Sequence, residues 1–514
     1  MLSSSKATEV IRRVLVCLAF ATGSFLNFWI GLSERRTVYF LRGNPAVTTL
    51  PKVIAWELIL TLAMLAAWEV CRRKQRDLWV IHVLFVLACL FPFGIGAMAL
   101  ARVSPLGLTS WIQARLFGPV AIVVAALLFG VAVWRPAASG RLLRSLLLWS
   151  WLVLSVAILQ AAATMIHYRS IDYRDQPQAA RLGKPPQEIR VVWIIFDELS
   201  QAVAFTHRPQ DLELANFDRL KNESFYATAA LPPAAATLVS MPSLILGEKV
   251  LGTGPDGTAD LRIQTAVGWS SWRSSNNVFD TARQAGFNTA LVGWYHPYGR
   301  VLNRSLTECI WVPTEVEPGV EEGYALSIVT AMEERMSLQI ASLPLAGRLR
   351  RFSPRRYERR VRARDFEELR RRALEVAADP GVGMMLLHLP VPHPPGIDSD
   401  AGGYIENVAL ADRTLGDLRR AIEQAGLWNR TAIIVSADHG WRIGLWRPLP
   451  EWTPQEEAFA SMNTSEVPFL VKLPRQSDPV VYEKPFDTVV TRKIISAILG
   501  GQITNAGQIE MTLH

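Results

Sequence analysis

The chain has 514 residues, of which 50% are hydrophobic and only 19% charged, with a net charge of +8 and a mean hydropathy of +0.17. At roughly 150 residues per domain this is about three domains' worth of chain. The apolar balance excludes a disordered chain and points to a part that lies in lipid. No nucleic-acid recognition motif accompanies the positive charge, which reads instead as headgroup and topology signals, so nucleic acid is not expected as a partner.

Apolar residues concentrate before about residue 166. Five spans are expected there, at about Val14–Leu32, Val53–Val70, Leu78–Ala101, Leu116–Trp134 and Leu146–Ile166. Each is near the ~20 residues that cross ~30 Å of hydrocarbon. The second span carries Glu69, which reaches the interface at one end, and Glu57, about one turn in from the other. For Glu57, helix–helix pairing or snorkelling is favoured over a functional intramembrane acid. With the N-terminus inside, the inside segments carry ten Lys and Arg against six in the outside loops. The positive-inside rule then places everything after Ile166 outside the cytoplasm. Cys17, Cys71 and Cys89 fall in or beside this apolar region and Cys309 stands alone later, so neither a disulfide framework nor a CxxC metal site is expected.

Residues 167–188 read as a polar linker with Pro177 and a Pro185-Pro186 pair, separating a transmembrane domain (1–166) from a catalytic domain (189–514). Ile189–Phe196 is a nearly continuous apolar, β-rich run, the pattern of a strand buried on both faces. Helices are expected at Leu214–Asn222, Val278–Gly286, Gly402–Gly426 and Asp487–Leu499, and further strands at Asn288–Gly293, Gly383–Leu389, Thr431–Ala437 and Val467–Leu473. The alternation argues for an α/β/α sandwich around a largely parallel sheet. Ligands of such sheets gather outside the carboxyl ends of the strands.

Acid and histidine clusters fall at three of those ends: Asp197 and Glu198 after the first strand, His388 and His393 at and beyond another, Asp438 and His439 after a third. Any one pair is compatible with a satisfied core group, but three clusters together read as a site. Carboxylates with one imidazole suit a divalent metal, Zn²⁺ or Mn²⁺ ahead of the all-oxygen choice Ca²⁺. A nucleophile is available in Thr237, at the start of a helix that follows Pro232-Pro233, where free N–H groups attract an anion. Its hydroxyl is inert at neutral pH unless a metal lowers its pKa. From local sequence alone, an ordinary helix cap carries more weight. Ser240, one turn on, is expected to be a neutral control whose alanine variant keeps most activity.

The segments VVWIIFDELS (191–200), ANFDRLKNESFYATAA (215–230), ATLVSMPSLILG (236–247), TARQAGFNTALVGWYHPYGR (281–300), LLHLPVPHPPG (386–396), YIENVALADRTLGDLRRAIEQAGLWNRTAIIVSADHG (404–440) and VPFLVKLP (467–474) appear in this order. Through them, residues 190–500 resemble the alkaline phosphatase superfamily in its sulfatase-like branch. The resemblance implies one metal held by Asp197, Thr237, Asp438 and His439, with Glu198 as an alternative first ligand. It gives His388 and His393 the role of binding anionic oxygens or protonating the leaving group, with His296 a weaker candidate. The C/S-x-P-x-R motif of arylsulfatases is absent. Thr237-x-x-Ser240-x-Pro242 is closer to the phosphoethanolamine transferases, which, like lipoteichoic acid synthases, carry five N-terminal spans. Those transferases differ in being disulfide-rich, in having Glu where Asp197 stands, and in carrying a further His after the DHG.

The resulting expectation is a multi-pass protein of a bacterial-type inner (cytoplasmic) membrane with an extracytoplasmic catalytic domain. It would be a phosphoester hydrolase or phosphotransferase acting through a threonine on lipid or envelope-glycan headgroups. A sulfuric ester hydrolase and a non-catalytic scaffold with a degenerate esterase domain are the alternatives. Membrane lipids and an anionic phospho- or sulfo-ester are the expected partners, with oligomeric state left open. The Arg-rich stretch Arg348–Arg372 is read evenly as a solvated, ion-paired helix or a surface for anionic headgroups.

Overall fold

Three long N-terminal helices begin the chain in the computed structural model: α1 (Ser4–Ser24), α2 (Leu50–Arg73) and α3 (Pro136–Tyr168). The structure describes residues 4–25, 29, 39–40, 50–73, 127, 130, 134–168, 175–183, 189–254, 260–313, 354–397, 403–448 and 452–513. Among them, two helical segments are long and apolar enough to cross a membrane, Leu50–Val70 and Arg144–His167. The expected bundle of about five spans is thus reduced to two among the described residues. Leu78–Ala101 lies outside them, and of Leu116–Trp134 only Leu127, Gly130 and Trp134 are described. The expected first span, Val14–Leu32, overlaps the second half of α1, and its residues 26–28 and 30–32 lie outside the described ones. Glu57 on α2 resolves as helix pairing: Trp29 Nε1 donates to Oε1 at 2.6 Å and Thr22 Oγ1 to Oε2 at 3.4 Å.

The chain divides into two compact units, Met1–Arg35 with Gly43–Ile171 and Glu317–Arg355 in one, Arg36–Arg42 with Asp172–Val316 and Arg356–His514 in the other. The second is built on a nine-stranded sheet. In chain order the strands are β1 (Arg190–Asp197), β2 (Phe225–Leu231), β3 (Gly252–Gly254), β4 (Arg262–Thr265), β5 (Gly268–Ser271), β6 (Thr289–Tyr295), β7 (Glu308–Pro313), β8 (Met384–Pro392), β9 (Thr431–Ala437), β10 (Val467–Lys472), β11 (Val480–Tyr482) and β12 (Phe486–Asp487). The main sheet runs β11-β2-β10-β9-β1-β8-β6-β7, with β12 also on β2, while β3-β4-β5 form a separate antiparallel sheet. The helices used below are α4 (Ala215–Lys221), α5 (Thr237–Leu246), α6 (Val278–Gln284), α7 (Pro354–Ala378), α8 (Tyr404–Gln424) and α9 (Thr491–Leu499).

β1 is buried along its whole length, as its unbroken apolar run requires, between parallel neighbours β8 and β9. The sheet is largely parallel, as expected, with β10 alone running antiparallel, to both β9 and β2. β8 runs past the expected Leu389 to Pro392, so His388 lies inside the strand and His393 just beyond it. Proline lacks a ladder donor and is tolerated in sheets at bulges. Here the β1–β8 register jumps from Phe196↔Leu389 to Asp197↔Pro392, so that Pro390 falls inside the irregularity. α7 buries Phe366, Leu369 and Ala373. On its exposed side Arg371 and Arg372 pair with Glu368 and Glu375, and Arg370 reaches Asp417 on α8. The described part of the Arg-rich stretch is therefore an ion-paired helix.

Candidate active site

β9, β1 and β8 are adjacent and parallel, so their carboxyl ends share one edge of the sheet. Register aligns Phe196 with Ala437, which sets the next residues, Asp197 and Asp438, side by side. Asp197, Asp438 and His439 form a buried cluster in which one ligand atom of each lies within 4.8 Å of the others. His439 Nε2 is 3.4 Å from Asp438 Oδ2 and 3.9 Å from Asp197 Oδ1. Its Nδ1 is 3.0 Å from the Gly440 carbonyl oxygen, which fixes the ring's orientation. The glycine is needed here because a Cβ at 440 would lie 2.0 Å from Thr464 O.

Thr237 is the first residue of α5, and the capping position is Ala236, whose side chain supplies no cap. The helix-cap reading therefore gives way. The threonine hydroxyl turns inward instead, 3.3 Å from Asp197 Oδ2 and 3.2 Å from His439 Nε2. One turn on, Ser240 Oγ donates to the backbone carbonyl of Asp438.

Glu198 adopts a left-handed backbone (φ 64°), and its Oε1 lies 4.0 Å from His439 Nδ1. Its carboxylate accepts from Arg442 Nε and, at 2.8 Å, from Trp446 Nε1. Burial pushes its carboxyl up to about 7 against the opposing pull of His439 and Arg442. The structure thus brings Asp197, not Glu198, into the cluster, while the Glu198 N–H donates to Asp438 Oδ1 at 3.2 Å.

His388 Nε2 lies 3.7 Å from Asp197 Oδ2, and its Nδ1 lies 2.8 Å from the Tyr298 hydroxyl. His393 Nδ1 is 2.9 Å from Arg362 Nη1 and 2.6 Å from the Pro394 carbonyl oxygen, and Nε2 is 3.4 Å from Arg442 Nη2. A guanidinium only donates and a carbonyl only accepts, so Nδ1 satisfies one of its two neighbours at a time. Burial, helped by the Arg362 charge, pushes His393 down to about 3, which keeps the ring neutral. His296, the weaker candidate, does not touch the cluster. Its Nε2 lies 3.1 Å from the Thr237 carbonyl oxygen. The two arginines at His393, Arg362 and Arg442, were not singled out from sequence. Arg362 sits in an Arg-rich run where no local signal distinguishes it.

Burial raises the carboxyl of Asp438, and the neighbouring Asp197 charge raises it further. For Asp197 burial acts in the same direction, but the His388 imidazole beside it and those of His393 and His439 outweigh it and hold the carboxyl below the usual range. Two fully buried carboxylates side by side repel, and a cation between them removes the conflict. Asp197 Oδ1 and Asp438 Oδ2 are buried with no hydrogen-bond partner. Two orphaned carboxylate oxygens beside an imidazole nitrogen fit a divalent metal.

Residues 252–500, a little under half of the chain, match the family Type I phosphodiesterase / nucleotide pyrophosphatase. The match includes His388, His393, Asp438 and His439, and with the motif order it upholds the resemblance of the soluble half to the alkaline phosphatase superfamily and its α/β fold. No curated protein matches the chain. Among solved structures, it is similar to murine ectonucleotide pyrophosphatase / phosphodiesterase 5, with 11% identity over 63% of this chain and 100% of that one and a TM-score of 0.37. A sulfatase from Pseudoalteromonas sp. gives 15% identity, 62% and 68% coverage and a TM-score of 0.40. A protein of the alkaline phosphatase superfamily from Vibrio parahaemolyticus gives 12%, 63% and 69%, and 0.35.

Proposed function

We propose that the protein is a membrane-anchored, metal-dependent phosphoester hydrolase or phosphotransferase in which Thr237 is the nucleophile. The observation that carries this reading is the Thr237 hydroxyl, buried at the first turn of α5 and within 3.3 Å of both Asp197 Oδ2 and His439 Nε2. A helix cap needs no such burial, and a scaffold has no use for two orphaned carboxylate oxygens. Asp197, Asp438, His439 and Thr237 would hold the metal, with Zn²⁺ or Mn²⁺ ahead of Ca²⁺. When bound, it supplies Lewis acidity that lowers the threonine pKa and offsets charge on the ester oxygens.

Thr237 Oγ1, once its proton has left to solvent, attacks phosphorus in line as the bond to the leaving-group oxygen breaks. The N–H groups at the start of α5 face the developing negative charge. His393, neutral and in contact with Arg362 and Arg442 through its two ring nitrogens, would hold those guanidiniums, whose remaining N–H groups donate to an anionic oxygen. Leaving-group protonation falls to His388, whose Nδ1 accepts from Tyr298 and whose Nε2 carries the proton. Water or an acceptor hydroxyl then releases the phosphoryl group from Thr237. The matched family's name favours a phosphodiester as the donor over a sulfate ester.

Membrane anchoring rests on Leu50–Val70 and Arg144–His167, whose outward residues are apolar: Leu152, Leu159 and Ile166 are 66%, 67% and 71% exposed. An extracytoplasmic site, lipid or envelope-glycan headgroups as substrate and a bacterial-type inner membrane complete the reading. Quenched turnover followed by peptide mass analysis should find a phosphoryl adduct on the peptide holding Thr237. Thr237→Ala should remove it and lower the rate by orders of magnitude. A Thr237→Ala enzyme that keeps the wild-type rate while metal removal abolishes it would mean direct attack by water.

A further inference from the structure

A second set of contacts lies behind the nucleophile, and the chemistry above does not use it. Tyr39 is fully buried, although in sequence it lies between the apolar helices α1 and α2, and it belongs with Arg36–Arg42 to the second unit. Its hydroxyl is 2.9 Å from His296 Nδ1, and His296 Nε2 is 3.1 Å from the carbonyl oxygen of Thr237. The carbonyl oxygen only accepts, so Nε2 carries the proton. The neutral ring then presents its Nδ1 lone pair to the Tyr39 O–H.

Each member of the series is held from another side. Arg300 Nη1 donates to the Tyr39 carbonyl at 2.9 Å, and Arg300 Nε to Asp175 Oδ1 at 2.8 Å, with the guanidinium wholly buried. Phe40 packs edge-on against Tyr295, with centroids 5.6 Å apart, and Trp272 edge-on against His296 at 4.9 Å. A surface loop that merely covered the domain would not need a buried tyrosine hydroxyl aimed at a buried imidazole.

We propose that Tyr39 is a positioning residue for Thr237 and acts through His296. The Tyr39 hydroxyl selects the His296 tautomer, and the Nε2–H of that tautomer holds the Thr237 carbonyl and with it the first turn of α5. The inference rests on the reading of Thr237 as the nucleophile. A nucleophile displaced by a fraction of an ångström loses much of its rate, so a residue with no contact to the ester can still control turnover.

The test uses the full chain with bis(p-nitrophenyl) phosphate as probe, and hydrogen exchange on the same proteins freed of metal. Tyr39→Phe keeps the ring but leaves a buried acceptor unsatisfied. It should lower kcat roughly tenfold with KM little changed. Exchange should speed up in the peptide spanning Ala236–Met241 and not in the peptide covering β9. His296→Gln keeps an N–H for the Thr237 carbonyl without needing Tyr39, so adding Tyr39→Phe to it should cost nothing further. Wild-type kcat and exchange in Tyr39→Phe would overturn the proposal. So would full additivity of the two substitutions, or faster exchange throughout the domain. If Thr237→Ala stays active while Tyr39→Phe loosens only Ala236–Met241, the positioning stands and the nucleophile reading falls. If Thr237→Ala is inactive and Tyr39→Phe is silent in both readouts, the reverse holds.

Discussion

Ser240 shows how much a single hydroxyl can carry in a buried site. It donates to the carbonyl of Asp438, and Asp438 Oδ1 in turn accepts the N–H groups of Glu198 and His439. Asp438 therefore has its backbone and one oxygen fixed, leaving Oδ2 for a cation. Asp438→Ala should abolish metal retention, measured as metal per chain after dialysis. Ser240→Ala should keep the ligand but weaken its support, lowering metal affinity roughly tenfold while far-UV dichroism stays unchanged. Full affinity in Ser240→Ala would show that the short contact to Asp438 is incidental. The buried imidazoles add a pH dependence. Burial pushes His296 and His393 from 6.5 down to about 3. Between these values the unfolded chain binds more protons than the folded one. Stability is therefore complete above pH 6.5 and is lost as the pH falls toward 3. Thermal unfolding of His296→Gln should lose part of that acid sensitivity, and an unchanged pH slope would count against a neutral His296 in the fold.

At the scale of elements, the ends of β1 and β9 make the cluster, β8 brings His388 beside it, and Gly440 lets the chain leave β9 against Thr464 and Ser465. Gly440→Ala would place a Cβ 2.7 Å from Ser465 Cα, also backbone, so the strain cannot be relieved by a rotamer change. Such overpacking costs about 1–3 kcal/mol, and because His439 precedes it, metal retention should fall together with the melting temperature. Strand β1, helix α8 and the Asp438-His439 pair were legible because a fully buried parallel strand and a long amphipathic helix have strong periodic signatures. β8 was read short, because Pro390 and Pro392 signal a break and the bulge that accommodates them depends on a register set by β1. β2 and the small β3-β4-β5 sheet were missed: β2 is a run of small residues with two aromatic ones, and the others are three or four residues long. Of the site, the acids and histidines could be found from strand-end position. Arg362, Arg442, Tyr298 and Tyr39 could not, since their roles depend on contacts between distant segments.

For the whole molecule, the placement of Tyr39 constrains topology through parity. Tyr39 and the nine-stranded sheet belong to one compact unit, so both must lie on the same side of any membrane the chain crosses. An even number of crossings must then separate residues 36–42 from residue 172. Helices α2 and α3 supply two, and the five-span expectation supplies four, so both satisfy the condition. An odd number would tear Tyr39 from His296. If α1 also crosses, the N-terminus lies on the opposite side, which is the arrangement favoured by its Lys6, Arg12 and Arg13 under the positive-inside rule. Reporters that are active only outside the cytoplasm, inserted within 36–42 and fused after residue 172, should both be active, and a reporter before Ser4 should be silent. Opposite signals from residues 36–42 and from the second unit would rule out the Tyr39–His296 contact in the membrane-bound protein. Two silent signals would keep the contact but move the site into the cytoplasm, where an envelope-glycan substrate is out of reach.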